Sequence, residues 1–247
     1  MRRAVWIGLL AGLAFAGILL TRFPAVWASG ALPAWLSCDE LEGTVWNGSC
    51  TGLTLHHQQT VGDLSWQLHP LRLLAARVAA HVQINQGAAF AHADVEWGLG
   101  DKLYGRDVQA NLALQRALIP ALPANLTGNA RTDLAYIELK AGRLVDLRGR
   151  IEVHDLVQRA GASTPLGSYS LTFAGAAAGA PLVGVLHDLD GPLSLEGTLR
   201  MTPEPGFVLD GKVATRPTAS ADLARQLQVL GAPDAQGRRS FSIANTF

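Results

Sequence analysis

Short runs of alternating apolar and polar residues, separated by glycine-containing turns, fill most of the chain after residue 41. Alternation of period two puts successive side chains on opposite faces of an extended strand. "GDLSWQLH" at 62–69 sets Leu64, Trp66 and Leu68 on one face. "ARVAAHVQIN" at 76–85 does the same for Val78, Ala80, Val82 and Ile84. Further runs lie at 93–99, 107–115, 142–156, 168–175, 191–201 and 207–216. One buried and one wet face implies mostly antiparallel sheet. The expected fold is mainly β, a strongly curved antiparallel sheet, open half-barrel or sandwich-like, with few short helices. The 26 glycines, many inside the runs, predict bulges, bends or close backbone approach.

Helical signals are few. "PLRLLAA" at 70–76 offers one or two turns with Pro70 at the first position. "TASADLARQLQVLG" at 218–231 has a Ser/Thr-type cap, then Leu223, Leu227 and Leu230 at helical spacing, then Gly231 and Pro233. Residues 115–127 read as a proline-interrupted connector.

The N-terminus carries a different signal. Residues 4–20, "AVWIGLLAGLAFAGILL", hold no charge; Arg2 and Arg3 precede them and Arg22 follows. A secretory signal peptide has a shorter apolar stretch, and "VWA" at 26–28 offers it a cleavage site. The length suits a single spanning helix, and aromatic residues bracket it. The preferred expectation is an uncleaved anchor that includes Ala4, Trp6, Leu10, Phe15 and Leu20, with the N-terminus cytoplasmic and the remainder exported. The expected organisation is a cytoplasmic tip and anchor over 1–23, a juxtamembrane segment over 24–40, and one exported mainly-β domain over 41–247.

Export changes the meaning of the two cysteines. Cys38 and Cys50 enclose eleven residues, and outside the cytoplasm such a pair is a disulfide candidate. A zinc site fails on ligand count, since the intervening segment contains no histidine.

Lys plus Arg and Asp plus Glu number 20 each, so global charge supplies no attraction for nucleic acid. Charged residues make up only 16% of the chain, well below the roughly 25% of ordinary soluble domains. Gly206 to Lys212 match part of a phosphate-binding loop, but Val213 stands where Ser or Thr should hold magnesium, and the interior suits a strand. His56 and His57 would point to opposite faces of a strand. The two His-Asp-Leu triplets, at 154–156 and 187–189, diverge for the same reason. Asn47-Gly-Ser49 and Asn125-Leu-Thr127 match glycan acceptors, and Asn-Gly is equally a hairpin signal. No catalytic, metal or cofactor constellation emerges.

"LEGTVWNG" followed by "LSWQLHPLRLL" resembles the N component of bacterial type II secretion systems (general secretion pathway protein N). The pattern is Gly43, Thr44, Trp46 and Gly48, then Trp66, Leu68, Pro70, Leu73 and Leu74. The C-terminal stretch from Asp190 is similar in style, and residues 90–180 are compatible. The resemblance implies a bitopic, non-enzymatic protein anchored in the bacterial inner membrane with a periplasmic domain. It also implies an accessory role in secretion, no cofactor, and association with other inner-membrane components of the apparatus. Val45 and Trp46 are expected as packing residues of the first strand. An alternative function follows from low charge and abundant alternating Leu, Val and Ala: a membrane-anchored apolar groove for lipid, resembling envelope proteins of the AsmA type.

Overall fold

The computed structural model describes residues 21–27, 36–55, 59–114, 125–160, 162–177, 180–202 and 206–246. The expected anchor (Ala4, Trp6, Leu10, Phe15 and Leu20) and the His56-His57 pair lie outside the described residues. No helix among the described residues is long and apolar enough to cross a membrane. The chain divides into two compact units, the first ending at Gly87 and the second beginning at Ala88.

Among its described residues the first unit has five antiparallel strands and a short exposed helix between the last two of them. They are β1 (Leu36–Ser37), β2 (Glu40–Gly43), β3 (Asn47–Leu55), β4 (Gln59–Leu68) and β5 (Val78–Gln86), with α1 at Pro70–Leu73. β3 pairs with β1, β2 and β4, and β4 pairs with β5. The register confirms the expected face: Leu64 lies opposite Ile84, Trp66 opposite Val82 and Leu68 opposite Ala80. Val78 departs from the expectation and is 43% exposed. The ladder ends at Leu68–Ala80, so no residue of β4 lies opposite it. Cys38 and Cys50 form a disulfide with Cα atoms 5.6 Å apart, and Cys50 is fully buried.

The second unit is an antiparallel meander of nine strands. These are β6 (Ala89–Gly98), β7 (Lys102–Ala113), β8 (Leu126–Lys140), β9 (Arg143–Ala160), β10 (Ala162–Ala174), β11 (Val183–Asp190), β12 (Leu193–Met201), β13 (Gly206–Thr215) and β14 (Arg239–Thr246). Each pairs with the next, and β14 pairs with β13 alone among the described strands, so the sheet of this unit is not closed.

Following the register across the strands separates two faces. One row runs Leu134, Gly149, Phe173, Gly184, Leu199, Leu209 and Ile243 from β8 to β14. The next row on that face runs Ile151, Leu171, Leu186, Gly197, Gly211 and Phe241. A row on the opposite face runs Glu152, Ser170, His187, Glu196, Lys212 and Ser240. The alternation in the sequence is therefore realised strand by strand as one apolar and one polar face.

Glycines on the apolar face make room for large neighbours. Gly184 lies opposite Phe173, and a Cβ there would stand 2.6 Å from the phenyl ring. Gly211 lies opposite Phe241 with the same 2.6 Å clearance, and Gly105 lies opposite Ile137 with 2.5 Å. Each large side chain spreads over its partner strand instead of standing upright. Leu134, Leu147, Phe173 and Leu182 form one buried cluster.

A second cluster comprises Leu193, Val213 and Leu223. Leu223 comes from α2 (Ala221–Leu227), which a short 3₁₀ turn at Gln228–Leu230 extends. Ser220 caps this helix by accepting from the Leu223 amide at 3.2 Å, and Gly231 (φ +95°) ends it, both at the positions the sequence predicts.

Burial of Phe173 (5% exposed) predicts a large truncation cost. Phe173→Ala is expected to destabilise by about 3–5 kcal/mol, read from the urea midpoint, against under about 1 kcal/mol for Phe90→Ala, which is 40% exposed. Cutting the disulfide through the double substitution Cys38→Ser, Cys50→Ser should remove about 3 kcal/mol of unfolded-state restraint. An unchanged urea midpoint for that variant would show that the bridge is thermodynamically silent.

Candidate functional site

The structure brings seven sequence-singled residues together, but not as expected. Gly43, Thr44, Trp46 and Gly48 build the hairpin between β2 and β3, with Gly43 opposite Gly48. Val45 and Trp46 occupy its turn, so they are not packing residues of a strand. Two local constraints bend the chain there. Gly43 has φ +85°, a conformation that L side chains avoid. Thr44 closes the turn: its amide donates to the Asn47 carbonyl at 2.9 Å, and its hydroxyl oxygen accepts from the Asn47 amide at 3.1 Å.

The downstream half of the pattern locks onto this turn. Trp66 lies opposite Gly48, where a Cβ would come within 2.4 Å of the indole. The Trp66 indole N–H donates to the Val45 carbonyl at 2.9 Å, and the Leu68 amide donates to the Trp46 carbonyl at 2.7 Å. Pro70 opens α1 at its first turn. From the other side, the Val45 amide donates to the Phe23 carbonyl at 3.0 Å, and Pro24 bridges to Thr44. Two distant stretches of sequence thus form one scaffold in which the motif residues satisfy each other. Trp66 and Gly48 explain one another sterically; no reactive group is presented.

The second unit has a concavity of about 1110 Å³ beside the apolar rows. Leu139, Leu144, Leu182 and Met201 contribute apolar surface, and Arg143 and Arg200 contribute charge. Arg200 is ion-paired with Asp210. Leu139 and Leu144 lie opposite each other, and Leu103 and Trp97 continue that row onto β7 and β6. Trp97 is 56% exposed. The alternating runs signalled these residues only as strand positions. Nothing in the alanine-rich stretch after β10 signalled Leu182.

Two carboxylates, buried Asp146 and half-buried Asp188, are structural tethers. Asp146 is 8% exposed and accepts from the Leu147 amide at 2.9 Å, the Ala176 amide at 2.7 Å and the Arg148 guanidinium at 2.9 Å. It fixes the segment leaving β10 to the start of β9. Asp188 accepts from the Leu195 amide at 2.6 Å and from the Arg216 guanidinium, whose other nitrogen donates to the Gly191 carbonyl at 3.1 Å. This ties the end of β13 to the β11–β12 hairpin. Burial, reinforced by nearby Asp188, pushes the Tyr169 phenol up to about 12.

The predicted failure of the phosphate-loop lookalike has a clear cause. Residues 206–212 lie in β13, Phe241 covers Gly211, and Lys212 is paired with Asp234 at 2.9 Å. His154, in the first His-Asp-Leu triplet, contacts Glu152 at 3.1 Å on its own strand. No group of three or more His, Cys, Asp or Glu among the described residues is placed to hold a metal ion.

The model of the family described as "Type II secretion system (T2SS), protein N" matches residues 34–242. A protein of Aeromonas hydrophila named "Type II secretion system protein N" is 26% identical over 257 residues, covering 96% of each chain. One of the same name from Vibrio cholerae serotype O1 (strain ATCC 39315 / El Tor Inaba N16961) is 31% identical over 91 residues, 36% of each chain. No solved structure matches. The matched span includes the whole interlocked tryptophan hairpin and reaches Ser242 in the last strand, and the chain belongs to the type II secretion system protein N family.

Proposed function

We propose that this protein is a non-enzymatic subunit of the bacterial type II secretion apparatus, accessory to export of folded periplasmic proteins across the outer membrane. The family match over 34–242 carries this reading. Residues 4–20, uncharged and flanked by arginines, support a single inner-membrane span with a cytoplasmic N-terminus and a periplasmic β region. Residues 41–247 then act as one exported part. The partners are other inner-membrane components of the apparatus and the lipid bilayer; the balanced charge argues against nucleic acid. The absence of a cofactor in this reading rests on the sequence and on the family. The tethered carboxylates add to it, because their hydrogen-bonding capacity goes to backbone amides and arginines.

The concavity favours a second reading, a lipid- or hydrophobe-binding module. A cavity of this size with mostly apolar walls suits an acyl chain. An anchored protein would sit beside a supply of such chains.

The two readings separate experimentally. Deleting the gene in its host should shift folded substrates from the medium into the periplasm, measured as the ratio of substrate in the two fractions. An unchanged ratio would exclude a necessary role. For the second reading, native mass spectrometry of the full chain released from detergent should retain a lipid adduct that Met201→Arg abolishes. Absence of an adduct in the unsubstituted chain would sink that reading.

A further inference from the structure

β14 has the features of a strand built to be extended. It is eight residues long and pairs with β13 without a register shift from Arg239 to Thr246. Edge strands are normally defended by charge, proline, bulges or brevity. β14 has no charge after Arg239 and no proline.

Alternation fixes which backbone groups face outward. The Thr202 amide donates to the Gly206 carbonyl at 3.1 Å, so Gly206 faces the β12 side. In an antiparallel ladder hydrogen-bonded and non-bonded pairs alternate. Phe207, Leu209 and Gly211 therefore bond β14, through Asn245, Ile243 and Phe241 opposite them. It follows that Ser240, Ser242, Ala244 and Thr246 direct their amides and carbonyls away from β13. The side chains of Phe241 and Ile243 end the two apolar rows, and Ile243 is 51% exposed.

We propose that a second copy of this chain pairs with β14, antiparallel and two-fold symmetric about Ile243. This register uses all four outward residues: Ser240 meets Thr246 of the copy, and Ser242 meets Ala244. The symmetric registers centred on Ser242 or Phe241 use fewer residues from 240 to 246. Ser240 and Thr246 meet as a small polar pair, Ser242 meets the small Ala244, Ile243 lies against its own copy, and no like charges are opposed. The row that ends at Ile243 then continues from one sheet into the other, and Phe241 meets Asn245 of the copy, so the union covers apolar surface at its centre as well as completing backbone hydrogen bonds. The contact is isologous and closes on itself, so it stops at a dimer.

The register makes a sharp geometric test. Two Ile243 residues on the axis form a non-bonded pair with Cα atoms about 4.5 Å apart, within disulfide range. Two Asn245 residues lie four positions out of register, about 14 Å apart, beyond that range. The native cysteines do not interfere, because they are bonded to each other. In full-length protein in membranes, Ile243→Cys should cross-link to a dimer under mild oxidation, with about tenfold less for Asn245→Cys. Detergent-solubilised full-length protein should have twice the chain mass by multi-angle light scattering. Ala244→Pro removes an outward amide and leaves the β13 ladder intact, so it should be monomeric with an unchanged far-UV spectrum. Any of three results overturns the proposal: equal cross-linking at the two positions, cross-linking of Ile243→Cys to a different protein, or a monomeric unsubstituted chain.

Discussion

A bulky apolar side chain laid over a glycine in the adjacent strand is the interaction on which the sheets depend. Trp66 over Gly48, Phe173 over Gly184, Phe241 over Gly211 and Ile137 over Gly105 repeat one geometry in both units. A strand interior glycine normally weakens a sheet, because it loses entropy and packs nothing. Here the neighbour's side chain fills the space above it and buries apolar area that an upright ring would leave in water. Burying such a side chain is worth roughly 1.5–3 kcal/mol. The missing Cβ is a precondition, since an alanine would sit well inside contact distance of each covering side chain. This also limits tolerance: the glycine and its cover must change together.

The apolar face needs lids as well as rows. Helix α2 supplies one through Leu223, and the segment beyond β10 supplies another through Leu182. Neither would stay in place through apolar contact alone, which is non-directional. Directional bonds to Asp146 and Asp188 position the neighbouring turns, and each carboxylate is compensated by an arginine and by backbone N–H groups, two at Asp146 and one at Asp188. Buried charge is costly when unpaired, so these pairs specify one arrangement of the connecting segments as well as holding it.

The tryptophan hairpin shows how a family pattern can be architectural. Its two halves are separated by about twenty residues. They meet because β3 and β4 are adjacent, which sets Gly48 against Trp66 and the Val45 carbonyl against the indole N–H. The disulfide closes the same region from the opposite edge of β3, and Phe23 and Pro24 reach the turn through backbone contacts. This anchors the chain that precedes the sheet to its first hairpin.

Strand content and the two short helices were legible from local signals alone, since period-two runs and a Ser cap with a terminal glycine each encode their outcome within a short stretch. The cysteine pairing was legible only together with the export signal at residues 4–20, because spacing alone does not set the redox compartment. What the sequence left open was decided by pairing. Leu-polar-Gly occurs at 147–149, 189–191 and 209–211, yet the three glycines behave differently. Gly149 has φ +136° and abuts the Asp133 carbonyl, Gly191 touches Gly167 in a turn, and Gly211 lies flat beneath Phe241. Val45 and Trp46 read as strand residues because their composition suits a strand, but Gly43 and the Thr44–Asn47 bonds turn the chain there. The sequence by itself determined which residues face the same way along each strand, because alternation is a local property. Only the tertiary structure decided which rows align, which glycines are covered and which edge stays open, because register is set between strands far apart in the chain.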